Sequence, residues 1–482
     1  MNTEITGSVH KTQSLPGTIS INELPGPAGL PLLGNVLQLP TEKLHRVFAK
    51  WSDQYGPIYK IKLGIIPIVV ITAPESVQHV LKNRPDKFRR LGKMDFIIRE
   101  VGISGVFNAE GEEWKQQRKV VTQALNLQHI KSFFPLLVTI TEKFLARWNR
   151  LSSENSLLEV KSELTRYTVD NTSLLAFGYN MNTIEKDKDI IQEHLKNIFP
   201  AIFNRISLPV PYWRYLKLPA DKKLEKSLAF INKFMQGIVD KTREEMAQNP
   251  ELDMQPTNFL QAVIAASDPE NPVSNEEIIG NVLTMLLAGE DTTAHTIAWV
   301  LYFMHLYPEV QQKMQQEADR ILGNENTLKE YDDIAKLTYI EAVTFESMRF
   351  KPVAPVLYFD TLEDVAIEGV QLPKGTAVFL QTNYEVTKET NFSNADKFMP
   401  ERWMAGGCPV FKVHDERAFI PFGAGPRFCP GYHLAMVEIK TVLSMICKHF
   451  TVVMQTRPED VKEILAFTMM PSEFVIRLER RK

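Results

Sequence analysis

Apolar residues recur along this chain with two different periods. Between Ile58 and Leu63 apolar residues alternate with lysine, and Ile68 to Ile71 is a β-branched run. That pattern predicts a small hairpin. From Pro74 to about Phe350 the spacing is helical, with breaks near Arg89–Gly111, Leu208–Pro219 and Gln248–Thr257. Within it, Ser274 to Leu306 is one long, mostly apolar stretch, which at ~1.5 Å per residue predicts a helix of roughly 50 Å. Ser274 and Asn275 with Glu276 and Glu277 read as its N-terminal cap and first turn. β character returns from Val365 to Leu380 around the turn Leu372-Pro373-Lys374-Gly375. A helical pattern covers Leu434–Phe450, and short strands are expected from Thr451 onward. The chain therefore reads as mainly α with a minor β region.

Residues 1–24 are polar and mixed, and read as a flexible tail. The proline- and glycine-rich stretch Pro25–Asn35 follows as a rigid, irregular lead-in. The 482 residues are 44% hydrophobic, enough for a large core. Length alone would suggest about three domains. The candidate functional residues, however, are spread from Trp114 to Cys429 and serve one site, so residues 25–482 are expected to form a single domain. A net charge of −3 gives no support to nucleic-acid binding. Three scattered cysteines fit a reducing compartment rather than a disulfide framework. Neither a targeting segment nor an apolar span of about 20 residues is evident. A soluble, cytoplasmic protein without a transmembrane anchor is the expectation.

The densest chemical signal is Phe422-Gly423-Ala424-Gly425-Pro426-Arg427-Phe428-Cys429-Pro430-Gly431. Its glycines and prolines exclude helix and central strand. A helical pattern follows at once, which places the Cys429 sulfur near a helix N-terminus, where the dipole favours a thiolate. A lone cysteine is otherwise a small buried hydrophobe, or a nucleophile served by a distant histidine. Zinc would need partners that Cys408 and Cys447 do not supply at a metal-site spacing. Taken whole, the stretch resembles the Phe-x-x-Gly-x-Arg-x-Cys-x-Gly signature of the cytochrome P-450 family, matching every fixed position. The resemblance implies the triangular fold of that family, with a long central helix over a haem b. Cys429 would then be the axial ligand of the iron, with Phe422, Arg427 and Gly431 around the cofactor.

Midway along the predicted long helix sits Ala288-Gly289-Glu290-Asp291-Thr292-Thr293. Glycine and threonine are poor mid-helix residues, and a threonine hydroxyl competes for backbone carbonyls, so a local kink beside a small bound molecule is expected. Charges here, with His295, argue against a bilayer span. The hexapeptide resembles the oxygen-binding motif of the same family. That implies a proton-delivering pair, Asp291 and Thr292, with Ala288 against the haem. Read alone, it is equally a buried helix whose polar groups cap a neighbouring loop.

Glu346-Ser347-Met348-Arg349 sets a carboxylate and a guanidinium one turn apart. The family pairs such residues with a downstream arginine, here Arg402 of Phe398–Trp403, in a structural triad that is stable when buried only if fully paired. Trp114 and Arg118 share a helix face, and the resemblance makes their common anion a haem propionate. Two departures stand out: Phe359 occupies the slot where the family often has another propionate arginine, and Ala124 stands where a proline is common. Lys115, Arg118, Lys119 and Lys440 are read either as a basic face for an acidic electron donor or as an ordinary solvated face.

The resemblance also places Phe96, Ile97, Val101, Phe107, Leu286, Leu287, Ala288, Val353–Val356 and Phe467–Met470 around the open face of the haem, including Val353, Val356 and Met469. An apolar lining implies a lipophilic small-molecule substrate, and Arg99 is a candidate anchor for a carboxylate. The implied activity is a haem-thiolate monooxygenase. No flavin or ferredoxin pattern follows Lys482, so electrons are expected from NAD(P)H through a separate ferredoxin/ferredoxin reductase or flavodoxin-type donor. The rival readings are a peroxide-using or rearranging member of the family and a non-catalytic haem sensor. The absence of an anchor pattern reads as a bacterial type.

Overall fold

The computed structural model describes residues 18–481 apart from 187–189, 209–210, 268–269, 271–272 and 405–413. Cys408 and residues 1–17 of the expected tail therefore lie outside the described residues. Within the rest of that tail, Ile19–Ser20 pairs in parallel with Val370–Gln371, a Ser20 capping box opens the turn Ile21–Glu23, and Leu24 is buried.

Helices form most of the fold, with small sheets at its margins. The expected hairpin is present, Ile58–Leu63 against Ile66–Ile71. It belongs to a five-stranded mixed sheet completed by Ala377–Gln381, Val356–Thr361 and Phe88–Arg90. The last two strands were not visible in the sequence pattern. Phe88–Arg90 has only three residues, and Val356–Thr361 carries its apolar residues without clean alternation. Strands Phe450–Met454 and Val475–Arg480 pair near the C-terminus, and Glu463–Leu465 with Met469–Pro471 makes a separate hairpin.

The long helix spans Asn275–Leu306, with Ser274 as N-cap in a full capping box with Glu277. Helical hydrogen bonding runs through Ala288–Thr293, so the expected kink is not a break. Thr284, Thr292 and Thr296 each return a hydroxyl to the carbonyl four residues earlier. Gly289 is explained by packing: a Cβ there would lie 2.9 Å from the Thr172 side chain on helix Val160–Phe177. A second close approach lies one and a half turns from the N-cap. The backbones of Gly280 and of the Ser104–Gly105 loop meet so closely that a Cβ on either glycine would overlap the other segment. Asn281 Oδ1 accepts from the Val106 amide at 2.8 Å and holds that loop on the helix.

Glu346 sits at the centre of the most heavily bonded charge cluster, on helix Thr338–Phe350. Arg349 donates to both of its oxygens, at 2.8 and 3.0 Å, and Arg402 at 3.2 Å. The Trp403 indole and the Met399 amide add bonds of 2.8 Å each. The remaining guanidinium donors reach the carbonyls of Val386, Ala395 and Lys397 from Arg349, and of Ser393 and Asn394 from Arg402. Every charge is paired, which is the condition for burial at 0–2% exposure. The triad expected from sequence is thus assembled, and it ties the segment 386–403 to the helical core.

Another buried acid has thinner support. Glu438, on helix Tyr432–His449, has one hydrogen bond among the described residues, from the Thr293 hydroxyl at 3.4 Å. Burial pushes its carboxyl up to about 8. Its proton is held more tightly in the folded chain than in the unfolded one, so its contribution to stability declines as pH rises from about 4.5 to about 8.

Two outcomes are expected. Glu346→Gln, which leaves the buried Arg349 and Arg402 without a counter-charge, lowers stability by about 3–5 kcal/mol in denaturant titration. Glu438→Gln flattens the fall in thermal midpoint between pH 5 and pH 8 that the parent protein shows; an unchanged slope would mean that Glu438 is not buried as described.

Candidate functional site

Cys429 lies three residues before helix Tyr432–His449, in the tight loop the sequence requires. Its amide donates to Phe422 O at 3.0 Å, closing the loop across its own base. Gly425 adopts φ +69°, and a Cβ there would lie 2.6 Å from Leu81 O, so only glycine fits this turn. Phe422 packs edge-on to Tyr432, with ring centroids 4.8 Å apart. The expectation that the helix terminus favours a thiolate needs correction. Burial pushes the Cys429 thiol up, and the Gly431 amide and the Arg118 charge only partly oppose it. A metal cation at the sulfur would reverse that balance, since a coordinating thiol is deprotonated outright.

Beside the loop, cations gather around a single carboxylate. Glu110 accepts from Arg84 at 3.1 Å, from the Arg90 amide at 2.9 Å and from Arg427 at 2.5 Å. Arg427 also donates to Ala109 O and lies 4.5 Å over the Trp114 ring. Its Nε and Nη1, like Arg84 Nε, are buried with no partner among the described residues. Burial, joined by repulsion from Arg84, pulls the Arg427 guanidinium down to about 9, and Arg90 falls to about 9 for the same reasons together with repulsion from Arg427. Arg118 stands near enough to feel the Cys429 sulfur and makes no ion pair among the described residues. Spare guanidinium donors with too few carboxylates are what an anionic group with two acid arms would satisfy. The residues fit a haem: Cys429 would ligate its iron, while Arg427, Arg118 and Trp114 would hold its propionates.

Arg84, Arg90 and Glu110 were missed in the sequence, where no spacing connects them to Arg427. Arg84 also addresses the first departure noted above. Its guanidinium lies 4.5 Å over the ring of Phe359, the position where an arginine was expected. A guanidinium thus reaches that position from another segment.

On the central helix, Ala288 is exposed although the helix runs through the protein interior, and Leu287, Asp291 and Thr292 are partly exposed. The Thr292 hydroxyl donates to Ala288 O at 2.5 Å. Burial raises the Asp291 carboxyl above its ordinary value, with Lys161 opposing. Phe107 packs 5.8 Å from Phe467 and beneath the Arg90 guanidinium. The Met469 amide donates to Val353 O at 2.8 Å, joining two expected lining segments.

Other candidates fall elsewhere. Phe96 is half exposed with Arg214 stacked 4.2 Å over its ring. Val356 is buried with Phe48, Tyr59 and Phe379 in the core under the five-stranded sheet. Arg99 is taken up by Asp95 at 2.8 Å and Glu113 at 2.9 Å, so it is not a spare anchor. Lys440 is buried against Glu341 and Lys115 is paired with Glu112 at 2.6 Å, so neither is a spare cation. If the arginine cluster holds the propionates, Arg84→Leu lowers the haem retained per chain after gel filtration, whereas Arg89→Leu, an exposed neighbour, does not.

Comparison with known proteins agrees with this geometry. A sequence model of the family described as Cytochrome P450 matches residues 24–478. Cytochrome P450 3A9 of Rattus norvegicus is 28% identical over 445 residues, covering 89% of this chain and 85% of its own. Cytochrome P450 97B2, chloroplastic, of Glycine max is 24% identical, covering 87% and 80%. The bifunctional cytochrome P450/NADPH–P450 reductase 2 of Bacillus subtilis is 28% identical over 95% of this chain, which spans only 43% of that longer protein. Among the described residues no helix is long and apolar enough to cross a membrane. With a family match over nearly its whole length, the chain belongs to the cytochrome P450 family, the haem-dependent monooxygenases.

Proposed function

We propose that this protein inserts one atom of dioxygen into a lipophilic small molecule, as a hydroxylation or an epoxidation. We assign its electrons to a separate ferredoxin- or flavodoxin-type donor fed by NAD(P)H, and its place to the cytoplasm, where scattered cysteines stay reduced. The observation that carries the reading is the pairing of a raised carboxyl, Asp291, with the neighbouring Thr292 hydroxyl on a helix face left open at Ala288. Haem, when held by Cys429, supplies the redox-active iron that activates dioxygen, with thiolate donation favouring O–O cleavage.

The remaining roles belong to the chain. Asp291 holds a proton nearer to neutral pH than an exposed aspartate would, which suits a proton carrier. Thr292 needs only to leave its bond to Ala288 O to present its hydroxyl to a bound molecule. Phe107, Leu287, Val353 and Phe467, all partly exposed, offer apolar surface that excludes water and favours an apolar substrate. Arg427, Arg118 and Trp114 keep the cofactor's acids out of that pocket.

Two measurements test the reading. The reduced, haem-loaded protein under carbon monoxide gives the strongly red-shifted Soret band of thiolate ligation, and Cys429→Ala abolishes it. Persistence of the band in that variant rules Cys429 out as the ligand. Turnover of lipophilic candidates then requires donor, NAD(P)H and dioxygen. Asp291→Asn and Thr292→Ala lower product formation on the order of 10²-fold. Equal turnover with peroxide alone would favour the peroxide-using alternative, and ligand-induced spectral change without turnover the sensor.

A further inference from the structure

His295 is buried on the central helix, one turn beyond Asp291. Nothing assigned so far uses it. Its Nδ1 is 3.0 Å from Thr468 Oγ1. Thr468 sits in the turn between strands Glu463–Leu465 and Met469–Pro471, flanked by Met469 and by Phe467 of the proposed pocket. The other ring nitrogen, Nε2, is buried without a hydrogen-bond partner among the described residues and lies 4.0 Å from Asp291 Oδ1. Hydrogen bonding between the two requires the side chains to approach. Burial keeps the imidazole neutral, holding it down to about 3. A neutral imidazole has one donor and one acceptor nitrogen, and a threonine hydroxyl can serve either. Lys161, at the start of the adjoining helix Val160–Phe177, is the charge acting on both Asp291 and His295.

From this arrangement we propose that His295 is a positioning residue that links the Asp291 carboxyl to the pocket turn at Thr468. With Asp291 protonated, Nδ1–H donates to Thr468 and Nε2 accepts the carboxyl proton as a hydrogen bond. With Asp291 ionised, Thr468 donates to Nδ1 and Nε2–H donates to the carboxylate. Both states of the acid are held in one place, and that place is fixed by the turn carrying Phe467 and Met469. The orientation of the proton carrier therefore depends on how the substrate-lining turn is seated. This inference rests on the role proposed for Asp291 above.

The two bonds can be removed separately. His295→Asn keeps an amide where Nδ1 stood and loses the group facing Asp291; His295→Gln does the reverse. In haem-loaded protein, the infrared carboxyl band of Asp291 is identified by its loss in Asp291→Asn. It is expected to move in His295→Asn and to stay nearer its parent frequency in His295→Gln. With NADPH and a surrogate ferredoxin and ferredoxin reductase, the share of electrons released as hydrogen peroxide rises severalfold in His295→Asn and Thr468→Val. Nitrogen-15 NMR of histidine in the reduced, carbon-monoxide-bound parent protein needs no change at His295. It should show the protonated ring nitrogen switching from Nδ1 to Nε2 as Asp291 titrates. An unmoved Asp291 band and unchanged peroxide share in His295→Asn, or a single tautomer at every pH, overturns the link while leaving Asp291 its role. If Asp291→Asn itself fails to raise the peroxide share, the role of Asp291 falls, and this inference with it.

Discussion

The buried carboxylate of Glu346 is the constraint on which the rest of this structure depends. Two guanidiniums, an indole and a backbone amide converge on it. The arginines spend their other donors on five carbonyls of the segment 386–397. Any slip of that segment would leave a charge unpaired away from water, so the cluster selects one placement of the backbone. Phe392, Trp403 and Phe419 pack beside it.

The arginine cluster around Glu110 has the opposite character. It is under-neutralised: among the described residues, Arg427 and Arg84 keep buried donors without acceptors. In the protein alone this costs stability, since burial and mutual repulsion both disfavour the charged forms. An anionic cofactor relieves the cost, so cofactor binding and folding reinforce each other. The triad and the cluster differ in one physical respect. The first is a closed network that specifies structure, and the second is an open one that specifies a ligand.

Much of this was legible along the chain. The helix from Ser274 to Leu306, the hairpin at Ile58–Ile71 and the Glu346 and Arg349 pair rest on local spacing, which fixes which side chains share a face, whereas Arg402, 56 residues from Glu346, was reached only through the family resemblance. The cysteine loop was legible because its glycines and prolines leave few other conformations. Arg84, Glu110, His295 and Thr468 were not legible as partners. The sequence separations of 26 residues between Arg84 and Glu110, and 173 between His295 and Thr468, carry no periodic signal. The readings that moved did so for related reasons. Lys440 and Arg99 look free in sequence, but their partners Glu341 and Glu113 arrive on other turns and helices. Gly289 suggested a kink because a mid-helix glycine is unfavourable, whereas the neighbouring helix at Thr172 needs the space.

The sequence by itself determined the secondary structure of the long elements and the motifs that point to the family, because each depends on residues within a few turns of one another. Only the tertiary structure decided the charge balance of the cofactor site, the fate of each arginine and the surroundings of Asp291. Those depend on desolvation and on distances between segments far apart in the chain, and a side chain's electrostatic energy is set by what folds against it rather than by what precedes it.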